Sequence, residues 1–119
     1  MTLDEVKNCI NAQVLTKCYN GDLNLTGAFC SDLMSDVLAF TKCIEETTLL
    51  ITGLNNIQVI RTAEMLDVKA IAFVRGKIPR PEVISYADEK GIVILSTSLL
   101  LYETAGILYT NGLGRKLVK

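Results

Sequence analysis

The chain has 119 residues, half of them hydrophobic and 21% charged, which is enough for one domain to bury a sizeable core without disulfides or metals. Twelve Lys and Arg stand against thirteen Asp and Glu, so no broad positive field exists to neutralise a nucleic-acid backbone. Histidine is absent, which excludes Ser-His and Cys-His nucleophilic catalysis.

The N-terminus carries Asp4, Glu5 and Lys7 and lacks the basic start and apolar run of a signal peptide. No apolar run approaches the roughly 18 to 20 residues that span a bilayer. The expectation is a cytoplasmic protein with no membrane partner and no nucleic-acid partner. Thr2 followed by Glu5 forms a capping-box pattern, and Val6 and Ile10 at helical spacing predict a short opening helix. A strand is predicted over 14–17, a turn at Asn20, Gly21 and Asp22, and a second extended run over 25–29, together a two-strand unit. Ser35 is placed to cap a helix running to Phe40.

From residue 49 onward, strand-like runs at 49–52, 70–74 and 92–95 alternate with helical segments, the pattern of a βα fold. The helix over 56–66 gathers Val59, Ile60, Ala63 and Leu66 on one face. The next begins at Pro81 and stops before Gly91. Residues 70–74 are apolar throughout, as in a central parallel strand covered on both faces. The predicted fold is α/β: a small three-layer domain with a mostly parallel central sheet flanked by helices and the N-terminal strands packed alongside, one domain over 1–119.

The final helix holds Leu99, Leu100, Leu101, Tyr102, Ala105, Ile107, Leu108 and Tyr109, more apolar surface than one core face uses. Leu100 and Ile107 form a separate stripe, which predicts a homodimer. Arg115, Lys116 and Lys119 read as a solvated terminal cluster.

Cys9, Cys18, Cys30 and Cys43 contain no C-x-x-C pair and read as buried, reduced thiols, so neither a metal nor a cofactor is expected. The pairs Asp32 and Asp36, Glu45 and Glu46, and Asp88 and Glu89 read as solvated charges or caps. There is no G-x-x-x-x-G-K-S/T loop and no G-x-G-x-x-G turn. The remaining place for a ligand is the edge outside the carboxyl ends of the parallel strands. Three loops meet there: Gly53, Leu54, Asn55 and Asn56; Arg75, Gly76 and Lys77; and Ser96, Thr97 and Ser98. Asn55 and Ser98 would cap helices whose free N–H groups attract an anion, and Arg75 would add a charge-assisted contact.

The run Leu25-Thr26-Gly27-Ala28-Phe29-Cys30-Ser31-Asp32-Leu33-Met34-Ser35-Asp36-Val37-Leu38 resembles the DRTGG domain family. The likeness continues through Ile51-Thr52-Gly53, Asn55-Asn56-Ile57, Ile94-Leu95-Ser96-Thr97, and Glu103-Thr104-Ala105-Gly106 with Tyr109. Asn24-Leu25-Thr26-Gly27-Ala28 stands where the eponymous D-R-T-G-G would be, without its arginine and second glycine. The resemblance implies a module found beside CBS domains, phosphotransacetylase or cobyrinate-synthase-like domains, in regulated pyrophosphatases, and as stand-alone copies.

These features together predict a non-catalytic regulatory or accessory module that binds a small anionic metabolite, nucleotides included, as a homo-oligomer. Its expected contacts are Gly53, Asn55, Asn56, Arg75, Ser96, Thr97 and Ser98. One rival is a purely structural or interaction module without a small ligand. Another is a metal-dependent enzyme using Asp32 or Asp36, which would lose turnover on Asp→Asn change.

Overall fold

A computed structural model describes residues 1–114. Its elements are α1 (Leu3–Cys9), β1 (Gln13–Val14), β2 (Gly27–Cys30), α2 (Met34–Ala39), a 3-10 turn (Thr41–Cys43), β3 (Thr48–Thr52), α3 (Ile57–Met65), β4 (Ala70–Phe73), α4 (Pro81–Glu89), β5 (Val93–Ser96) and α5 (Leu101–Thr110). The strands lie in the order β1-β5-β4-β3-β2. β2, β3, β4 and β5 run parallel, and β1 joins β5 antiparallel through the Gln13–Ser96 and Val14–Leu95 pairs.

Strand alternation divides the core in two. Leu50, Ile71, Phe73, Ile92 and Ile94 pack on Met34 and Val37 of α2, Val59, Ile60 and Ala63 of α3, and Val83 and Ala87 of α4. On the other face Leu49, Ile51, Ala70, Ala72, Val93 and Leu95 meet Leu3, Val6 and Ile10 from α1 and its C-cap, and Leu108 of α5. The result is the expected three-layer α/β architecture with a mostly parallel sheet. β4, fully buried, is its central strand.

Local signals account for several boundaries. Thr2 and Glu5 form the reciprocal capping box, with Glu5 N donating to Thr2 Oγ1 at 3.2 Å and Thr2 N to Glu5 Oε1 at 2.8 Å. Pro81 opens α4, and Gly91 adopts φ 71° just past its C-cap.

Three expectations need correction. The strands flanking the Asn20–Asp22 turn do not form a two-strand unit: β1 lies on one edge of the sheet and β2 on the other. The turn residues are present, but pairing β2 parallel to β3 and β1 antiparallel to β5 covers both edges of the parallel core. Ser35 is no cap, because it sits inside α2. The turn into that helix is built one step earlier, where Ser31 Oγ accepts from Leu33 N at 3.0 Å. The cysteines are free but not uniformly buried: Cys9 and Cys18 are half-buried, and Cys30 and Cys43 are exposed.

The stripe on α5 also divides differently from expectation. Ile107 packs against the core beside Leu101, while Leu100 is 56% and Tyr102 89% exposed. Thr104 and Leu108 define the buried line of the helix, which turns Ile107 inward and leaves Leu100 outside. Arg115, Lys116 and Lys119 lie outside the described residues.

Candidate functional site at the carboxyl ends of the strands

Because β2 to β5 are parallel, their carboxyl ends open onto one edge, where the loops beginning at Ser31, Gly53, Val74 and Thr97 meet. Asp32 fastens the first loop to the second. Its Oδ1 accepts from Gly53 N at 2.6 Å and from Thr52 Oγ1 at 3.3 Å, and Thr52 Oγ1 in turn accepts from Leu54 N at 3.1 Å. The Asp32 carboxylate therefore works as a loop clamp, a role that its residue type alone did not reveal.

Arg75 occupies the centre of this edge. It holds φ 61°, uncommon for a side-chain-bearing residue, and is followed by Gly76 at φ 68°. Two bonds keep the backbone there: Arg75 N donates to Leu99 O and Gly76 N to Thr97 O, each at 2.8 Å. The guanidinium crosses to the neighbouring loop, where Nη2 donates to Gly53 O at 3.4 Å. A Cβ on Gly53 would collide with that nitrogen, so glycine is what lets the guanidinium lie over the loop.

The other expected contacts divide into two groups. Asn55, Ser96 and Thr97 are engaged within the fold: Asn55 Nδ2 donates to Ile78 O at 3.1 Å, Ser96 Oγ to Lys77 O at 2.9 Å, and Thr97 Oγ1 to Ile10 O at 2.7 Å. Asn56 and Ser98 are exposed. Neither Asn55 nor Ser98 caps a helix, which corrects that expectation. The N-cap of α3 is Asn56, without a side-chain cap, and that of α5 is Leu100, whose amide donates to Glu103 Oε1 at 3.0 Å. Each helix starts later than the loop pattern suggests, so Asn55 reaches across to residue 78 instead.

The uncapped first turn of α3 borders a recess of about 590 Å³ lined by Asn55, Asn56, Ile57, Arg80, Glu82 and Val83. Arg80, the N-cap of α4, was not among the expected contacts. Its guanidinium lies 3.9 Å from Glu82, and both side chains are largely solvated. The N-terminus of α3 without a side-chain cap, Arg80 beside it and Arg75 on the same edge of the sheet make this edge suited to an anion. Among the described residues no cluster of three His, Cys, Asp or Glu side chains could hold a metal ion.

No protein-family model and no curated protein matches the chain. Among solved structures, the CBS and DRTGG domains of the regulatory region of Clostridium perfringens pyrophosphatase, complexed with its activator diadenosine tetraphosphate, superpose with a TM-score of 0.68 at 16% sequence identity. The match covers 90% of this chain but 45% of that one, so the present chain spans less than half of its structural neighbour. The likeness establishes a related fold.

Proposed function

We propose that this chain is a non-catalytic regulatory or accessory module that binds a small phosphate-bearing metabolite, of the nucleotide class, at the carboxyl edge of its sheet. The observation that carries the proposal is Arg75, held at φ 61° with its guanidinium over the side-chain-free Gly53. A cation maintained in a costly backbone conformation at the ligand-binding edge of an α/β sheet is the expected mark of a recognition residue. The uncapped turn of α3 and Arg80 supply further donors beside it. Asn55, Ser96 and Thr97 act as the scaffold of the site, while Gly53, Asn56, Arg75 and Ser98 face the ligand. The structural neighbour, crystallised with a nucleotide activator, supports a regulatory reading.

The absence of histidine and the engagement of Asp32 in two loop contacts favour binding without chemistry. Self-association is the second half of the proposal. With Ile107 turned inward, the dimer surface passes from α5 to the exposed Leu33, Leu38 and Phe40 around α2. Light scattering decides it: Leu38→Glu with Phe40→Glu should convert a dimer to a monomer, and a wild-type monomer at high micromolar concentration removes this part.

Calorimetric titration with pyrophosphate, ATP and diadenosine tetraphosphate, with adenosine as the uncharged control, tests the binding claim. Saturable heats for the phosphate compounds alone are expected. Their absence leaves the structural-module reading, which the internal engagement of Asn55, Ser96 and Thr97 otherwise favours.

A further inference from the structure

On the face of the sheet that carries α1 and α5, edge strand β2 is left partly uncovered. A groove of about 570 Å³ lies between Ala28 and Cys30 of β2 and Tyr102, Ala105, Gly106 and Tyr109 of α5, with Ile51 and Leu108 also in its lining. This volume falls within the roughly 300 to 1,000 Å³ of small-molecule sites. The space is built into the backbone, since a Cβ on Gly27 or on Gly106 would meet nothing within 4 Å.

Charge gives the groove a preference. Among the described lining residues Glu45 is the one charged side chain, and its carboxylate has no partner within the described residues. Among the described residues no lysine or arginine lines the groove. Tyr102 and Tyr109, two turns apart on α5, present aromatic surface along the same wall. The apolar floor, the aromatic wall and the Glu45 carboxylate are complementary to a flat ring bearing a positive group.

We infer that this groove is a second binding site, separate from the carboxyl edge, for a planar aromatic molecule carrying a protonated amine. The ring lies against Ala28, Ile51 and Ala105 beside the tyrosines, and the amine meets Glu45.

Three probes with one ring and different charge test this: tryptamine, indole and indole-3-acetate, titrated into the whole chain and followed by NMR shifts. Alkylation of Cys30 and Cys43, both in the groove lining, reports occupancy independently, with Cys9 and Cys18 outside it as the internal reference. Tryptamine should bind best and indole-3-acetate worst, with protection confined to Cys30 and Cys43. Glu45→Gln should weaken tryptamine roughly fivefold, the scale of an exposed ion pair, and leave indole unchanged. Gly106→Met, which enters open space, should fill the groove, leave the fold intact by circular dichroism, and abolish binding of all three. Lack of binding by all three, tightest binding of the anion, or affinity indifferent to Gly106→Met overturns the inference. Because no phosphate compound is used, the outcome is independent of the carboxyl-edge site.

Discussion

At Arg75 a backbone cost and the proposed recognition of an anion fall on one residue. Its φ of 61° costs about 1 kcal/mol relative to glycine, so Arg75→Gly should raise the unfolding free energy in urea by roughly that amount while removing the charge proposed to hold an anion. Gly53→Ala tests the same geometry from the other side. The added Cβ displaces the mobile end of Arg75 rather than backbone, so stability should change by about 0.5 kcal/mol or less while anion affinity falls. An Arg after a parallel strand is visible in the sequence as a candidate contact. Its left-handed backbone and its reach to Gly53 are not, because both depend on how separate strands align. Asn55 shows the reverse case: its type suggests a cap, but the helix begins one residue later and its side chain bonds to Ile78 O.

Helices show the same division between local and long-range information. The limits of α3 and α4 were legible because apolar spacing, Pro81 and Gly91 act within a few residues. The partnering of β1 and β2 was not, since turn residues state that the chain bends and leave the choice of strand open. Between α3 and α4 a surface clamp joins Tyr86 Oη to Glu64 Oε1 at 2.6 Å and Lys90 Nζ to Glu64 Oε2 at 3.3 Å. The hydrogen bond from Tyr86, aided by Lys90, holds the Glu64 carboxyl below its ordinary value of 4.5. A lowered folded-state value means the clamp contributes fully above about that pH and is lost as pH falls through the folded value. Tyr86→Phe should therefore move Glu64 titration upward toward the ordinary value, as measured by carboxyl NMR. On α5, Gly106→Ala should stabilise by roughly 0.5 to 1 kcal/mol in thermal melts, because the helix gains a better former and the new methyl meets open space.

For the whole molecule, the sheet is where sequence patterning was most informative. A run apolar at every position can be satisfied only by cover on both sides, and residues 70–73 are the central strand with helices above and below. Phe73, fully buried under α3 and α4, should cost about 3 to 5 kcal/mol on truncation to Ala. Parallel order then gathers the carboxyl-end loops on one edge, which is why their meeting could be read from the sequence although several of their internal contacts could not. Ser96 and Thr97 were recognisable as polar residues at a strand end, but whether such hydroxyls serve the fold or a ligand is decided by the loops and helix packed against them. The groove beside β2 left no sequence signal as a unit, since its lining comes from separate stretches of the chain. Calorimetric titration of ATP into the wild-type chain and Arg75→Ala decides whether the carboxyl edge binds an anion through Arg75. Saturable binding to the wild type and a loss of about 1 to 3 kcal/mol in the variant are expected, the scale of a charge-assisted hydrogen bond. No binding to the wild type, or equal affinity in the two proteins, would contradict this expectation.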